Sequence, residues 1–329
     1  MNKQIFFKVL ILMMFVFSNM SAQKIEVADF LKTGVDDAKI LAEAYLNPFG
    51  EMVGRSINGG WYNVASVHSI LGIDVNIGLN FAMVSSSGKE FDVNDYLSKM
   101  SDGWNLVGNN NMAPTISGKM DTRPTIHNSS TNTNFTLPNG LGLSMAPLPI
   151  LQAGVGLPFR TEIIGRFCPT LPIAKFSVGL WGIGLKHDIK EYLPIIKHLP
   201  ILHTSILVGY TKMSMNFDID YTEIQDNNDR KLSSDISGFT GRLLVGANLP
   251  FVSLYMGLGY GNSSSSFDLQ GTYQVDGAPM DNPISLKFKN DNFDANIGAR
   301  LKFGLLTLHG DYTIGQYSTI TAGLGVSFR

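Results

Sequence analysis

The sequence predicts an all-β fold: a transmembrane antiparallel up-and-down β-barrel of about 12 strands, within a range of about 10–14. Charged residues make up only 16% of the 329 residues, against roughly 25% in an ordinary soluble domain. Apolar side chains alternate with small or polar ones along many segments, which is the period of a β-strand. Two long stretches without charge are rich in proline and glycine, which interrupt helices.

The overall composition excludes several classes of protein. The formal charge is −2 and the mean hydropathy is +0.09, so the chain is too apolar for a disordered protein and too polar for a bundle of membrane helices. A nucleic-acid binder needs a basic surface, so no nucleic-acid partner is expected. Because Cys168 is the single cysteine and no Cys/His cluster occurs, we expect no disulfide, no metal site and no cofactor.

Residues 1–22 have the layout of a cleaved secretory signal peptide. Lys3 and Lys8 precede the apolar run Val9–Phe17, and the small residue Ala22 ends the segment. The apolar run is short for a membrane span of about 20 residues, which favours cleavage over an uncleaved anchor helix. Export indicates a location in the bacterial cell envelope, and for a barrel this is the outer membrane.

The two uncharged stretches are Thr125–Phe159 and Leu243–Phe267. Their prolines, glycines, serines and asparagines would leave helical hydrogen bonds unmade in lipid, so they are not membrane helices. We interpret the serine run Ser263–Ser266 as a loop.

Alternation at period two is clearest in Ile70–Val84. Its odd positions from Leu71 to Met83 are apolar, whereas its even positions include Asp74, Asn76 and Asn80. Apolar side chains therefore share one face of a strand, and small or polar side chains share the other.

The same pattern and the turns between strands predict ten segments that cross the membrane alternately. These are Ile70–Val84, Leu148–Leu157, Thr161–Cys168, Lys175–Leu185, Leu202–Phe217, Ile236–Asn248, Phe251–Gly261, Ile284–Phe303, Leu305–Gln316 and Tyr317–Phe328. The polar stretch Ser85–Ala146 has room for another pair, and we therefore favour twelve strands.

A soluble β-sandwich also alternates at period two and is the alternative fold. Three features favour the barrel: strands long enough to cross a bilayer at about 9–11 residues, little charge, and an aromatic residue, Phe328, that is next to last. Such a terminal strand resembles the signal read by the barrel assembly machinery, which is therefore an expected partner beside outer-membrane lipid.

Two segments depart from the strand pattern. Lys186–Leu199 has helical spacing and is either a short amphipathic helix or an irregular connection. Val27–Tyr45 has apolar residues at steps of three and four, as in an amphipathic helix. We expect Asp36 to cap its second half and Asn47-Pro48 to end it. This helix lies either inside the barrel as a plug or below it in the periplasm.

The sequence resembles two groups of proteins. Four stretches resemble an uncharacterised family of outer-membrane barrels from Bacteroidota: Ala42–Gly54, Asn58–Asn63, Arg160–Pro169 and Gly182–Pro194. That resemblance implies fold and location, and not activity. Asn47, Pro48 and Gly50, with Phe49 between them, are similar to the Asn-Pro-Ala-Gly plug element of the long-chain fatty-acid outer-membrane transporter family.

Charged and amide side chains within the predicted strands are expected to face the lumen, because exposing a basic residue to lipid costs roughly 2–4 kcal/mol. His309 and Asp311 share that face of one strand and are the candidates for catalysis, although no nucleophile motif accompanies them. The candidates for lining the lumen or contacting a ligand are Asp74, Asn76, Asn80, Glu162, Arg166, Arg242, Asp294, Arg300 and Lys302.

We therefore expect a signal peptide over residues 1–22, an N-terminal helical segment over residues 23–60 and a barrel over residues 61–329. The leading hypothesis is passive transport or binding of small, including hydrophobic, molecules, and the chain is not expected to be an enzyme. The alternatives are an outer-membrane hydrolase that uses His309 and Asp311, and a structural or surface-interaction barrel that acts through Ser85–Ala146.

Overall fold

The computed structural model describes residues 26–173, 176–219, 230–275, 277–315 and 317–328. The predicted signal peptide, residues 1–22, lies outside these ranges. The strands, in chain order, are β1 Ile73–Met83, β2 Glu90–Asp92, β3 Trp104–Val107, β4 Met112–Pro114, β5 Thr125–Asn128, β6 Thr133–Thr136, β7 Met145–Leu157, β8 Thr161–Ile173, β9 Phe176–Asp188, β10 Leu202–Asp218, β11 Lys231–Asn248, β12 Val252–Gln270, β13 Thr272–Val275, β14 Ala278–Asp281, β15 Ile284–Phe303, β16 Leu306–Ile314 and β17 Thr319–Phe328.

Ten of these strands form one closed antiparallel barrel, in the order β1-β17-β16-β15-β12-β11-β10-β9-β8-β7, with β7 pairing back to β1. Each of the ten segments that the sequence pattern predicts supplies one of them. The prediction of twelve strands is wrong. Strands β2–β6 have three or four residues each and form two small separate sheets. They are too short to belong to the wall, because a strand needs about 9–11 residues to cross a bilayer.

Alternation along the strands separates the two faces of the barrel wall. In β1, Asp74, Asn76 and Asn80 are buried on the inner face, whereas Ile73 on the outer face is exposed. Large apolar side chains are exposed over the outer surface of all the long strands. Ser263–Ser266, predicted as a loop, lies within β12, with Ser263 and Ser265 facing inward.

The two ends of the barrel differ. Connections at the short-turn end are residues 158–160, 189–201, 249–251 and 304–305. The long-loop end carries residues 84–144 and the β13–β14 hairpin. Residues 189–201 form two three-residue 3-10 helices on either side of Pro194, so of the two possibilities left open for this segment the irregular connection forms.

The N-terminal segment passes through the lumen. A 3-10 helix, Val27–Thr33, leads into α1, which spans Val35–Asn58. Two expectations are wrong here: Gly34, not Asp36, is the residue that caps α1, and the helix continues past Pro48. A proline inside a helix costs about 3 kcal/mol, and this cost is offset because the residues after Pro48 are packed on every side by the barrel interior.

Contacts along the lumen run from the long-loop end to the short-turn end. Phe49 packs on Phe217, with ring centroids 6.3 Å apart. Further down, Asn58 donates a hydrogen bond to the carbonyl of Asn262 at 3.2 Å, and the carbonyl of Ala65 accepts one from Ser205 at 2.7 Å. Of the two places left open for the N-terminal helix, the structure shows the lumen. Among the described residues, no helix is both long and apolar enough to span a membrane.

Residues 84–144, here called the cap, fold against the upper half of α1. The buried carboxylate of Asp37 accepts hydrogen bonds from the backbone and hydroxyl of Ser101 and from the indole of Trp104, at 2.7, 2.5 and 2.8 Å. Tyr45 donates to the carbonyl of Asn139 at 2.9 Å. The cap is thus attached to the plug, and it adds no strand to the barrel wall.

Close packing of α1 on the wall gives a prediction for Gly54. A Cβ at this position would lie 2.7 Å from the Cβ of Ser263, so we expect Gly54→Leu to lower the free energy of unfolding by about 1–3 kcal/mol through overpacking. Helix propensity alone would predict the opposite sign, because glycine is about 1 kcal/mol less favourable than alanine in a helix. Urea unfolding of the purified barrel measures the difference.

Gly241→Leu is the matched control, because no atom lies within 4 Å of a Cβ built there. Equal stabilities of the two leucine variants would contradict the tight helix–wall contact.

Candidate functional site

The C-terminal end of α1 is held by arginines of the barrel wall. The last carbonyls of a helix have no partner within the helix and carry partial negative charge. Arg166 of β8 donates hydrogen bonds to the carbonyls of Ile57 and Gly59, at 3.0 to 3.2 Å. Arg242 of β11 donates to the carbonyl of Asn58 at 3.4 Å. Two cations therefore cap the helix from the wall.

Trp61 lies three residues after the end of α1 and is fully buried. Its ring lies against Gly184 and Gly209, where a Cβ would come within 2.8 and 2.6 Å of ring atoms. The guanidinium of Arg166 covers the other side, 3.6 Å from the ring centroid. Only glycine fits at these wall positions, and a desolvated cation–π contact contributes about 2 kcal/mol.

Ion pairs between wall strands also contact the plug through their arginines. Arg242 makes a two-pronged ion pair with Asp294, at 2.6 and 3.0 Å. Arg300 donates to Asp74 at 2.7 Å and to the side-chain oxygen of Asn63 at 2.9 Å. Since Asn63 belongs to the lumen segment, Arg300 positions the plug and also neutralises the charge of Asp74.

The last residue of the plug network is His68, near the short-turn end. Its Nδ1 lies 3.0 Å from Glu162, which also pairs with Lys186 at 3.0 Å. On the other side, its Nε2 lies 3.7 Å from Asp74. One imidazole thus joins carboxylates of β8 and β1, the two strands that flank β7.

The structure gives the predicted lumen residues a shared position. Asp74, Asn76, Asn80, Glu162, Arg166, Arg242 and Arg300 are buried on the inner face of the wall, and the side chain of Asp294 pairs with Arg242 there. Lys302 lies half-buried on the same face, paired in register with Thr307. The wall residues that contact the plug hold it in place. Contact between any of these residues and a ligand stays a prediction.

The predicted plug element and the predicted catalytic pair also have definite places. Asn47 donates to Glu51 at 3.3 Å within α1, and Gly50 lies against Ser265 of β12. Asp311 accepts a hydrogen bond from Tyr255 at 3.3 Å. His309 and Asp311 share the inner face of β16, and within the described ranges no hydrogen bond joins them. The hydrolase hypothesis stays a prediction.

Sequence reasoning missed four contributors: Asn63, Trp61, His68 and Lys186. The first three belong to the loop between helix and strand, where no periodicity marks a side chain that faces the wall. The sequence pattern places Lys186 in a connection, although it continues the inward positions of β9, which include Val178 and Leu180. Extending the period-two pattern by one step would have found it.

An apolar pocket lies between the lower half of α1 and the wall. Its cavity volume is about 40 Å³. No charged side chain is among its lining residues, which are Phe49, Val53, Ser56, Leu143, Met145, Pro147, Leu148, Phe176, Val178, Met213, Met215 and Phe217. Clefts that hold small molecules also have mostly apolar linings.

This pocket is lined from both faces of β7. Met145 and Pro147 are at outward positions of β7, whereas Leu148 is at an inward one, since it pairs with Asn80. A pocket of this kind passes either the end of the strand or one of its edges. The edge toward β1 is paired as far as Met145, the first residue of β7, so an opening through the wall lies at the edge toward β8.

The pairing of β7 with β8 is incomplete at that edge. Within the described residues it extends from Leu157 only to Leu151, which pairs with Phe167. Beyond this point the strands carry prolines, which have no N–H to donate to a neighbouring strand. These are Pro147 and Pro149 on β7, and Pro169 and Pro172 on β8. The wall therefore has a gap beside the pocket.

Fold and site together define a ten-stranded β-barrel whose lumen is filled by its own N-terminal segment and which has an apolar pocket beside that plug. The chain belongs to the family of unknown function DUF6588, which matches residues 1–328. The predicted resemblance to a family without known function is thereby confirmed, whereas an origin in Bacteroidota and the fatty-acid transporter resemblance stay predictions.

Solved structures with similar barrels have low identity to this chain. The translocator domain of the autotransporter NalP from Neisseria meningitidis is 11% identical, covers 87% of this chain and 99% of its own, and has a TM-score of 0.35. The outer-membrane protease OmpT from Escherichia coli is 10% identical, with coverages of 78% and 97% and a TM-score of 0.37. The toluene transporter TbuX from Ralstonia pickettii is 9% identical, with coverages of 81% and 92% and a TM-score of 0.27. No curated protein matches the sequence.

The arginine contacts predict the behaviour of Arg166→Met. This change removes the donors for the carbonyls at the end of α1, and we expect it to lower the free energy of unfolding by about 3 kcal/mol. Loosening of the plug should also raise the ion conductance of the barrel in planar bilayers above the low level expected for the wild type.

Arg160→Gln is the control, because Arg160 makes an exposed ion pair with Glu191, at 2.7 Å, at the short-turn end. That hydrogen bond lowers the pKa of Glu191 from its ordinary value, but an exposed pair contributes little to stability. A conductance of Arg166→Met that equals the control would show that Arg166 does not retain the plug.

Proposed function

We propose that this protein is an outer-membrane barrel that binds neutral apolar small molecules in the pocket beside α1 and admits them through the wall between β7 and β8. The observation that carries the proposal is that the pocket is lined from both faces of β7. A membrane location is supported by the apolar outer surface of the long strands, which lipid would cover.

The lining of the pocket favours a neutral ligand. Ser56 supplies the pocket's polar side chain, and the arginines that could receive an anion already bind carbonyls or carboxylates of the barrel. Moving an ionised carboxylate into such a site without a partner is costly. We therefore expect uncharged hydrocarbons, long-chain alcohols or acyl esters to bind better than fatty-acid anions.

The filled lumen favours binding over flow along the barrel axis. The segment from Phe49 to His68 contacts the wall from β10 near the long-loop end to β8 near the short-turn end. A ligand that enters from the membrane meets the pocket before it meets the polar network below. Onward release into the periplasm would require displacement of that network.

Filling the pocket tests the binding site. Met213 faces inward and is buried, so Met213→Trp should occupy the space and reduce ligand binding at least tenfold. The probe is a long-chain alkane with a photoreactive diazirine, added to vesicles that contain the barrel, and the cross-linked residues are mapped by mass spectrometry. In the wild type we expect labels on β10 and α1 side chains of the pocket.

Met256→Trp is the control, because Met256 is 55% exposed on the outer surface and does not line the pocket. Labels confined to outer residues in all three proteins would overturn the proposed binding site. A fatty-acid anion with the same photoreactive group should label the pocket less than the neutral probe does.

Restoring the missing donors tests the route. Pro147→Val together with Pro149→Val returns two backbone N–H groups to the edge of β7, and we expect the gap to narrow. Labelling of the pocket should then be slower, by roughly an order of magnitude in a time course, with the same final extent. Pro279→Val, in the exposed strand β14, is the control. Unchanged labelling rates would show that ligands enter elsewhere.

A further inference from the structure

The lumen segment gives the chain one pass through the barrel in addition to the ten passes of the wall. Successive contacts along β12 establish its direction. Gly50 lies against Phe267, Gly54 against Ser263 and Tyr62 against Gly257. Since β12 begins at Val252 at the short-turn end, the lumen segment descends from the long-loop end. Strand β10 gives the same order, as Phe49 contacts Phe217 and Ala65 contacts Ser205.

The beginning of this pass is fixed at the long-loop end. Glu26 forms an ion pair with Arg123 of the cap at 3.4 Å and accepts a hydrogen bond from the backbone N–H of Asn139 at 3.2 Å. Phe30 packs on Tyr45 of α1 and on Phe135 of the cap, with ring centroids 5.5 and 6.1 Å apart. The start of the described chain is therefore held among cap residues, away from the end where β17 finishes.

We infer that the N-terminal end of the described chain and the C-terminal end of β17 lie on opposite sides of the membrane, and that the barrel presents its N-terminal end, with the cap, at the cell surface. The inference rests on the proposed outer-membrane location, and the choice of the outer side follows because such barrels have short turns on the periplasmic side and longer loops outside. A sequence joined ahead of Glu26 would be displayed externally without any opening of the plug.

The order of assembly follows from the same geometry. Trp61 fits between Arg166 and the glycine pair of the wall, and Tyr62 donates a hydrogen bond to Asn296. Threading of this segment through a finished barrel would drag both rings past the polar network, and threaded connections are very rare in proteins. The wall therefore closes around α1, with the β1–β17 pairing as the step that encloses it.

Labelling of single cysteines tests the inference. In a Cys168→Ser background, Asp36→Cys is placed at the start of α1, where the carboxylate is 96% exposed. Thr131→Cys marks the cap, and Phe159→Cys marks the short-turn end, where Phe159 is 89% exposed. Cells are treated with a bulky polyethylene-glycol maleimide, either intact or after the outer membrane is permeabilised. Lys39→Cys, one turn further along α1, repeats the test.

We expect Asp36→Cys and Thr131→Cys to be labelled in intact cells, and Phe159→Cys to require permeabilisation. If Asp36→Cys and Lys39→Cys instead behave like Phe159→Cys while Thr131→Cys is labelled in intact cells, the inferred pass through the lumen is overturned. If Thr131→Cys needs permeabilisation and Phe159→Cys does not, the proposed orientation in the membrane fails. The inferred external N-terminal end fails with it.

Discussion

The guanidinium of Arg166 is the contact on which the rest of the structure depends. It is buried and binds two carbonyls at the end of α1, the side-chain oxygen of Gln152 and the face of Trp61. No carboxylate pairs with it among the described residues, so carbonyl dipoles and a ring provide the negative potential. These contacts offset the cost of burying a cation while the plug is in place. The position of Arg166 and the position of the plug are therefore coupled.

This dependence divides the lumen into two parts of different chemistry. Below the helix end, three cations of the wall pair with three carboxylates beside the polar atoms of residues 57–68, and the network closes the lumen toward the short-turn end. Above it, the side of α1 that faces the pocket meets a mostly apolar lining, which includes three phenylalanines and three methionines. Methionine side chains are flexible and fill irregular spaces, so the upper part can adapt to a ligand without disturbing the ion pairs below.

The sequence predicts the wall better than it predicts what the wall contains. Period-two alternation depends on lipid outside and polar groups inside, and this contrast acts on every long strand, so all ten were identified. The sequence pattern ends α1 too early because Pro48 is costly in an isolated helix, whereas packing by the barrel outweighs this local preference. Packing also explains why the serine run lies in strand β12 and not in a loop, because its small side chains make room for Gly50 and Gly54 of α1. The contacts of Trp61 and His68 are between distant segments, and no local pattern encodes them.

The size of the barrel connects these observations to the route for ligands. Ten strands enclose little free space once side chains and a helix occupy the lumen, so a wide axial channel cannot coexist with α1. The remaining direction is through the wall, and a closed antiparallel wall opens only where backbone hydrogen bonds are missing. The four prolines of β7 and β8 remove donors at the level of the pocket, whereas the pairing of β7 with β1 on its other side is continuous. In the proposed function, a gap at this seam gives a membrane-dissolved molecule access to the pocket while the polar network below stays intact.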